Sequence, residues 1–313
     1  MALNIKQYTN ITSVRIHKNT FCESYNNKFN GMTNLIQSDI DISNETNMSS
    51  IFHKCTSLTG NPVCGEKVTN MCNAYNGCTS LTGEPVCGNN VIDMVGAYHN
   101  CTNLTGSPVC GTNVNSMQNA YNGCKNLTGA PACSTNVTTL RGAYDNCINL
   151  TGNPRSLSNV QYMQNAYRNC RNLTGKPACS NKVTTMVNAY YNCRNLSGRA
   201  IANNSVTTMY QTYYNCKNLS GNAYFLSKNI TNVTSCFFNW PNTKRLNIYV
   251  PNTGNTYNTI TNNGYSNTAK ATSILGKLIT WTYSGSMAIN SLYNIRIIKS
   301  SNVLSIMTQN GDK

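Results

Sequence analysis

Apolar residues recur along this chain in a long, fixed pattern. Cys55, Cys78, Cys101, Cys124, Cys147, Cys170, Cys193 and Cys216 each lie 23 residues from the next, and the intervening segment runs close to Cys-x-x-Leu-Thr-Gly-x-Pro-x-Cys-x-x-x-Val-x-x-Met-x-x-Ala-Tyr-x-x. Counting this cysteine as position 1, leucine is constant at position 4 (Leu58 to Leu219) and an aromatic at position 21 (Phe52, Tyr75, Tyr98, Tyr121, Tyr144, Tyr167, Tyr190, Tyr213). Valine, methionine and alanine at positions 14, 17 and 20 are spaced three apart. With the neighbouring aromatic they predict one apolar face of a short helix, about two turns long. Thr-Gly-x-Pro after the leucine predicts a short extended stretch with a turn, because proline disfavours helix at and before itself.

A strict period of this length implies stacked coils, since one unit cannot bury its apolar side alone. The fold expected is a right-handed solenoid of about nine coils, each a short strand plus a short helix or turn. Met32, Leu35, Met48 and Phe52 occupy the core columns of an atypical first coil. After Cys216 the pattern continues with one inserted residue: Ile230, Val233, Cys236 and Phe237 fill the columns, and Trp240 stands in the cysteine position. The expected organisation is an N-terminal cap at 1–31, the solenoid at 32–240, and a closing coil with a β-rich cap at 241–313. Strand-like runs occur at Lys277–Tyr283 and Leu292–Met307, with a Thr/Asn-rich loop at Asn252–Asn267 before them.

The 16 cysteines change this picture little. Cys64, Cys87, Cys110, Cys133 and Cys179 form a second column, which is lost at Ser156, Ala202 and Phe225 while the first column persists. A bridge within each coil would lose both partners together, so buried free thiols are expected. Cys22 and Cys72 lie outside both columns and are the expected exposed thiols. With no Cys-x-x-Cys and three scattered histidines, no metal or other cofactor is expected. Neither a signal peptide nor a membrane-spanning run is read from the sequence. Asparagine is far above ordinary usage, which is read as genome composition.

Charge is divided unevenly. The net charge is +15, yet residues 1–145 carry eight Lys/Arg and eight Asp/Glu, and 146–311 carry fifteen Lys/Arg and no carboxylate. Such asymmetry concerns partners rather than folding. At position 2, Thr56, Thr79 and Thr102 give way to Lys125, Ile148, Arg171, Arg194 and Lys217; at position 22, Arg168, Tyr191 and Tyr214 follow one another. Coils stacked about 5 Å apart would line these columns along one edge. The candidate partner-binding residues are therefore Arg168, Arg171, Tyr191, Arg194, Tyr214 and Lys217, with Tyr210 a further candidate ring. This edge reads either as a solvated face or as an anion or glycan site with flat rings beside cations.

An enzyme is not expected. His53 and His99 share position 22 two coils apart, and His17 lies in the N-terminal cap. The basic half has no carboxylate to form a catalytic pair. Asp39 and Asp41 read as cap solubility, and Gly60, Gly83 and Gly106 as turn glycines rather than a phosphate loop.

The segment Val-Thr-x-Met-x-x-Ala-Tyr-x-x-Cys-x-x-Leu-Thr resembles the 23-residue leucine-rich repeat of BspA-type surface proteins, whose units end in Ala-Phe-x-x-Cys-x-x-Leu. Asn247-Ile-Tyr-Val-Pro251 is similar to the closing coil of those arrays. The resemblance covers about Met32 to Pro251 and departs from the family in two respects: tyrosine replaces phenylalanine, and Gly-x-Pro stands where the family often has an apolar strand. It implies a curved, right-handed leucine-rich-repeat-like solenoid and adhesion to host or matrix surfaces, and it transfers no catalytic residue. Similar arrays occur in bacteriophage virion proteins, and Ser273–Trp281 is similar to tails from that setting. The expectation is a virion-surface tail or head fibre protein mediating host attachment. Alternatives are a structural decoration protein docking on an acidic virion neighbour, or a bacterial adhesin. The expected partner is an anionic cell-surface glycan or an acidic virion protein, with the chain oligomeric or attached to a larger assembly. Membrane insertion and nucleic-acid binding are not expected, the latter because charge alone supports it.

Overall fold

The computed structural model describes residues 10–16, 24–241, 246–251, 253–256 and 258–260, and the backbone of 295–300. The chain divides into two compact units, Met1–Thr151 and Gly152–Lys313. Cys22, His17 and the expected strand at Lys277–Tyr283 lie outside the described residues.

Within each unit, successive repeats are hydrogen-bonded in parallel, one period apart. Bridges at position 16 link Asn47, Asn70, Asp93, Ser116 and Thr139 in the first unit, and Tyr162, Thr185, Thr208 and Asn232 in the second. The columns read as core are buried: Leu104, Val114, Met117, Ala120, Tyr121 and Cys124 are all fully enclosed, as are their counterparts in the other coils. Trp240 is buried too and meets Phe237 edge-on at 6.0 Å. At the other end, Phe29 stacks on Phe52 at 5.3 Å, so the aromatic column reaches back into the segment expected to be a cap.

The expected helix is absent. Position 16 is a bridge and positions 18 to 23 form tight turns, and from position 17 onward backbone donors alternate between two destinations. Met71, Asn73, Tyr75 and Gly77 donate N–H to carbonyls of the next coil (Asp93, Val95, Ala97, His99), whereas Ala74 and Asn76 donate to residues three back in their own coil. Left-handed residues at positions 19 and 23 enforce the alternation; among them are Asn119 (φ 54°), Asn146 (φ 62°), Asn188 (φ 53°) and Asn192 (φ 63°), with glycine at Gly96 and Gly123. Asparagine tolerates this region better than other L-residues bearing a Cβ. The abundance of asparagine is therefore a backbone requirement, not only composition. Position 16 adds a further polar clamp, as when Asn70 Oδ1 accepts the Cys72 N–H at 2.8 Å.

Strands form where the repeat lacks its proline. Pro62, Pro85, Pro108, Pro131, Pro154 and Pro177 are buried at position 8, and their coils show no strand there. Proline has no N–H for a ladder. Where Asp39, Ala200 and Ala223 take that position, strands appear: β1 (Ser13–Ile16) pairs with β2 (Gln37–Ile40), and β3 (Ala200–Ala202), β4 (Asn222–Phe225), β5 (Leu246–Pro251) and β6 (Ile295–Ser300) make a parallel sheet in that order. β5 is the expected closing coil, and β6 lies inside the strand-like run at Leu292–Met307. In the stretch expected to be loop, residues 256 and 258–260 are helical.

In the proline coils the position-21 tyrosine compensates. Tyr121 Oη donates to the Val109 carbonyl at 2.7 Å and accepts the Val109 N–H at 3.1 Å. Tyr75 does the same to Val63 (2.8 and 2.8 Å), Tyr98 to Val86 (2.7 and 3.1 Å) and Tyr190 to Ala178 (2.6 and 2.9 Å). Burial raises the pKa of these hydroxyls, which keeps them protonated donors. Phenylalanine appears where the residue twelve earlier lies in a strand, as at Phe52 with Ile40 and Phe237 with Phe225. Tyr213 retains its hydroxyl although Ile201 is in β3. Stacked offset, the rings also form columns, with centroids 5.4 Å apart from Tyr75 to Tyr98 and 5.6 Å from Tyr190 to Tyr213.

The first cysteine column is a second buried ladder. Its thiols donate to the position-21 carbonyl 26 residues earlier in the chain: Cys78 to Phe52 at 2.9 Å, Cys124 to Tyr98 at 2.9 Å, Cys216 to Tyr190 at 3.0 Å. A thiol so engaged keeps its proton, and the described cysteines are free. Burial pushes the Cys55 pKa up to about 12 and raises those of Cys78 and Cys101 strongly. The second column is half-buried and both donates and accepts: Cys87 Sγ donates to the Gly88 carbonyl at 3.6 Å and accepts the Gly111 N–H at 3.2 Å, and where serine substitutes, Ser180 N–H reaches Ser156 Oγ at 2.9 Å.

Two outcomes follow from these ladders. Tyr121→Phe should cost about 1–3 kcal/mol in urea unfolding, because two enclosed backbone groups lose a partner; Tyr213→Phe should cost less, since Ile201 sits in a sheet. In native protein at mildly alkaline pH, an alkylating reagent should label the half-buried Cys72 and Cys64 faster than Cys87, whose pKa burial pushes up to about 12, and should spare Cys101, Cys124 and Cys147. Mass spectrometry after denaturation without reductant should then find the spared thiols free rather than bridged.

Candidate functional site

The second unit gathers the residues expected at the basic edge. Arg171, Arg194 and Lys217 are exposed, and Arg168, Tyr191 and Tyr214 are half-buried. Position 22 places Tyr191 against Tyr214 with ring centroids 4.5 Å apart and planes 14° from parallel. The stack continues to Phe238 at 4.8 Å. Phe238 was not among the expected residues, because the inserted residue shifts it out of column; its signal is that it follows Phe237 as Tyr214 follows Tyr213. Tyr210 is exposed but sits four residues before Tyr214, at position 18 on another part of the turn, and does not join this stack.

The stacking changes what the rings can do. Flat faces were expected to be available to a ligand, but Tyr214 has one face on Tyr191 and the other on Phe238. Tyr214 therefore presents its edge and hydroxyl. A ring edge carries the positive side of the quadrupole, so it favours the same partners as the flanking cations. Desolvation first, then Tyr191 beside it, raises the Tyr214 hydroxyl pKa, and the group remains a neutral donor at physiological pH.

Between the aromatic and basic columns runs a line of buried amides at position 23. Asn215 Nδ2 donates to Asn192 Oδ1 at 2.7 Å, and Asn192 Nδ2 donates to Asn169 Oδ1 at 3.1 Å. Arg194 Nε also donates to Asn192 Oδ1, at 2.8 Å. The ladder thus fixes the guanidinium of Arg194 through its inner nitrogen and directs its terminal nitrogens outward, a geometry suited to a carboxylate or similar anion.

Other chemistry-bearing groups stand apart from this edge. In the first unit, His53 and His99 are half-buried at position 22, as expected. Desolvation lowers both pKa values; Lys54 and His99 lower that of His53 further, while Asp145 opposes the shift at His99. An open trough on the first unit is lined by Thr46, Thr69, Asn90, Asn113 and Asn136, with Lys67 its one cation. Asp39 pairs with Arg15 at 3.0 Å on the surface of β1 and β2. Among the described residues, no group of three or more His, Cys, Asp or Glu converges, and no helix is long and apolar enough to cross a membrane.

The family described as "Mycoplasma protein of unknown function, DUF285" matches residues 18–129 and 138–252, a span that contains the turn ladders and the whole basic edge. The chain belongs to the DUF285 family. DUF285 membership brings no activity with it. No curated protein matches the chain. Among solved structures, a leucine rich cell surface protein from Faecalibacterium prausnitzii A2-165 is similar at 14% identity with a TM-score of 0.39, covering 95% of this chain and 90% of that one. At that level the likeness is no argument for a shared fold or role in this DUF285 chain.

The histidine environment has a pH consequence. A folded pKa below the unfolded value means that the unfolded state takes up the proton first. The contribution of His53 and His99 is therefore complete above about pH 6.5 and declines as pH falls below it. Urea midpoints should drop between neutral and mildly acidic pH. His99→Asn, which installs the residue found at this position in Asn76 and Asn122, should flatten that slope.

Proposed function

We propose that this DUF285 protein is a non-enzymatic, surface-presented binding protein that attaches to an anionic partner through the edge formed by Arg168, Arg171, Tyr191, Arg194, Tyr214 and Lys217, extended by Phe238. One observation carries the reading: cations and ring edges of one polarity line consecutive coils, in a stretch of sequence with no carboxylate from 146 to 311. A row of like charges disfavours itself unless solvent or an anion neutralises it, and a merely solubilising face has no need of a stacked aromatic column or of a guanidinium fixed by a buried amide. A binding role without catalysis also fits the thiols of the first column, the most nucleophilic groups in quantity, whose protons are held on backbone carbonyls in the core.

As to setting, the virion surface expected from the resemblance gains no support from the family match. The family description concerns Mycoplasma proteins, and we adopt a bacterial surface as the setting.

Reversal of Arg171, Arg194 and Lys217 to glutamate should abolish attachment to an anionic matrix and leave the unfolding midpoint nearly unchanged, since all three side chains are exposed. Wild-type attachment should weaken as added salt shortens the Debye length below about 8 Å. A triple variant that is retained as well as wild type at low salt would reduce the edge to a solvated face.

A further inference from the structure

The half-buried thiols of the first unit stand where neighbouring coils can be joined covalently. We propose that Cys64 with Cys87, and Cys110 with Cys133, are sites of disulfide formation between adjacent coils, and that these bridges staple the first unit when the protein meets an oxidising exterior. The exterior rests on the surface setting above; the bridges are independent of the basic edge. Cysteine occupies position 10 in four consecutive coils, so pairing from the ends leaves none over. Position 9 of these coils is tied to a tyrosine of the same coil, Val63 to Tyr75, Val86 to Tyr98 and Val109 to Tyr121. Those rings follow one another at 5.4 Å and 5.4 Å, and Tyr144 follows Tyr121 at 5.6 Å. A disulfide joins Cα atoms about 4.4–6.8 Å apart. The coil spacing falls inside that range.

The sulfurs already lean across the gap. Cys64 Sγ accepts the Gly88 N–H at 3.4 Å and Cys87 Sγ the Gly111 N–H at 3.2 Å, each from the residue directly after the next cysteine of the column. These thiols are half-buried, whereas those of the first column are enclosed and donate to backbone carbonyls. A small-molecule disulfide therefore reaches one column and not the other. The step is thiol–disulfide exchange. The Cys64 thiolate attacks the external disulfide, which forms a mixed disulfide and expels one thiolate. The Cys87 thiolate then attacks the Cys64 sulfur, which closes the bridge and expels the second. The two expelled thiolates take up the two protons lost by the protein, and the external disulfide is the species reduced. Cys110 and Cys133 react in the same way. Each bridge closes one 23-residue period and so restricts the unfolded chain, and exterior surfaces are where such bridges persist.

The chain contains its own control. Cys179 has Ser156 and Ala202 at position 10 of its neighbours, so no cysteine of its column lies one coil away. Ser156 Oγ accepts the Ser180 N–H at 2.9 Å, the posture that Cys87 adopts towards Gly111. In the test, the full chain is incubated with oxidised glutathione at mildly alkaline pH, alkylated, digested and mapped by mass spectrometry. Peptides linked through Cys64–Cys87 and Cys110–Cys133 should appear, with Cys179 unbridged. The urea midpoint of the oxidised chain should exceed that of the reduced chain and return after dithiothreitol. Cys87→Ser should lose the first bridge alone, and Ser156→Cys should bring Cys179 into a new one with position 156. Glutathione adducts on the four thiols without a bridge, no reaction at them, or a bridged chain no more stable than the reduced one would each overturn the proposal. Linkage of Cys87 to Cys110 would overturn the pairing. All of these results leave the reading of the basic edge untouched.

Discussion

Each tyrosine of the proline coils uses its ring and its hydroxyl in different directions. The ring lies on those of adjacent coils, whereas the hydroxyl crosses the core to both backbone groups of the residue after the proline. That second interaction replaces a strand. The proline of these coils removes the donor that a parallel ladder needs at position 8, and the part-buried N–H and C=O beside it would otherwise lack a protein partner. Where the proline is absent, neighbouring coils pair as β3 and β4 do, and phenylalanine can take the aromatic column, as at Phe237. The wall of each coil is thus closed either by a strand or by a tyrosine hydroxyl, and the buried leucine, valine and methionine columns depend on that closure.

The opposite wall obeys a related constraint. Its turns send alternate N–H groups to the next coil, which requires left-handed backbone twice per repeat, and asparagine supplies it at Asn188, Asn192 and their equivalents. At position 23 in the second unit the same asparagines have a second use. Their side chains join into the amide line of Asn169, Asn192 and Asn215, and this line orients Arg194. A residue type selected by backbone conformation thereby shapes the surface, which connects the repeat's internal geometry to the placement of Arg194.

The two units share one internal repeat but differ at their surfaces. The first carries balanced charge, histidines at position 22 and a trough lined by threonine and asparagine. The second carries aromatic residues at position 22 and bases at position 2. Since the core columns are nearly identical, substitutions at these outer positions change the surface with little effect on packing. Stacked repeats allow this, because stability resides in columns that each coil offers its neighbour.

From the sequence alone, the period determined which residues are buried and which positions recur on neighbouring coils, so Leu104, Met117, Tyr121 and the thiol ladder were legible, as was the acid-free edge at Arg171, Arg194 and Lys217. The expected two-turn helix over positions 14 to 21 did not form. Apolar spacing of three suits a helix and a run of tight turns equally, and the choice was made by acceptors on the next coil, which no local pattern displays. Two departures from the BspA-type repeat, tyrosine for phenylalanine and Gly-x-Pro for a strand, looked independent in sequence; they are one interaction twelve residues apart, visible only once the coil closes. That Tyr214 exposes an edge rather than a face was likewise decided by the stack of Tyr191, Tyr214 and Phe238. Sequence fixes which side chains share an edge, but only packing across coils decides which of their surfaces remain exposed.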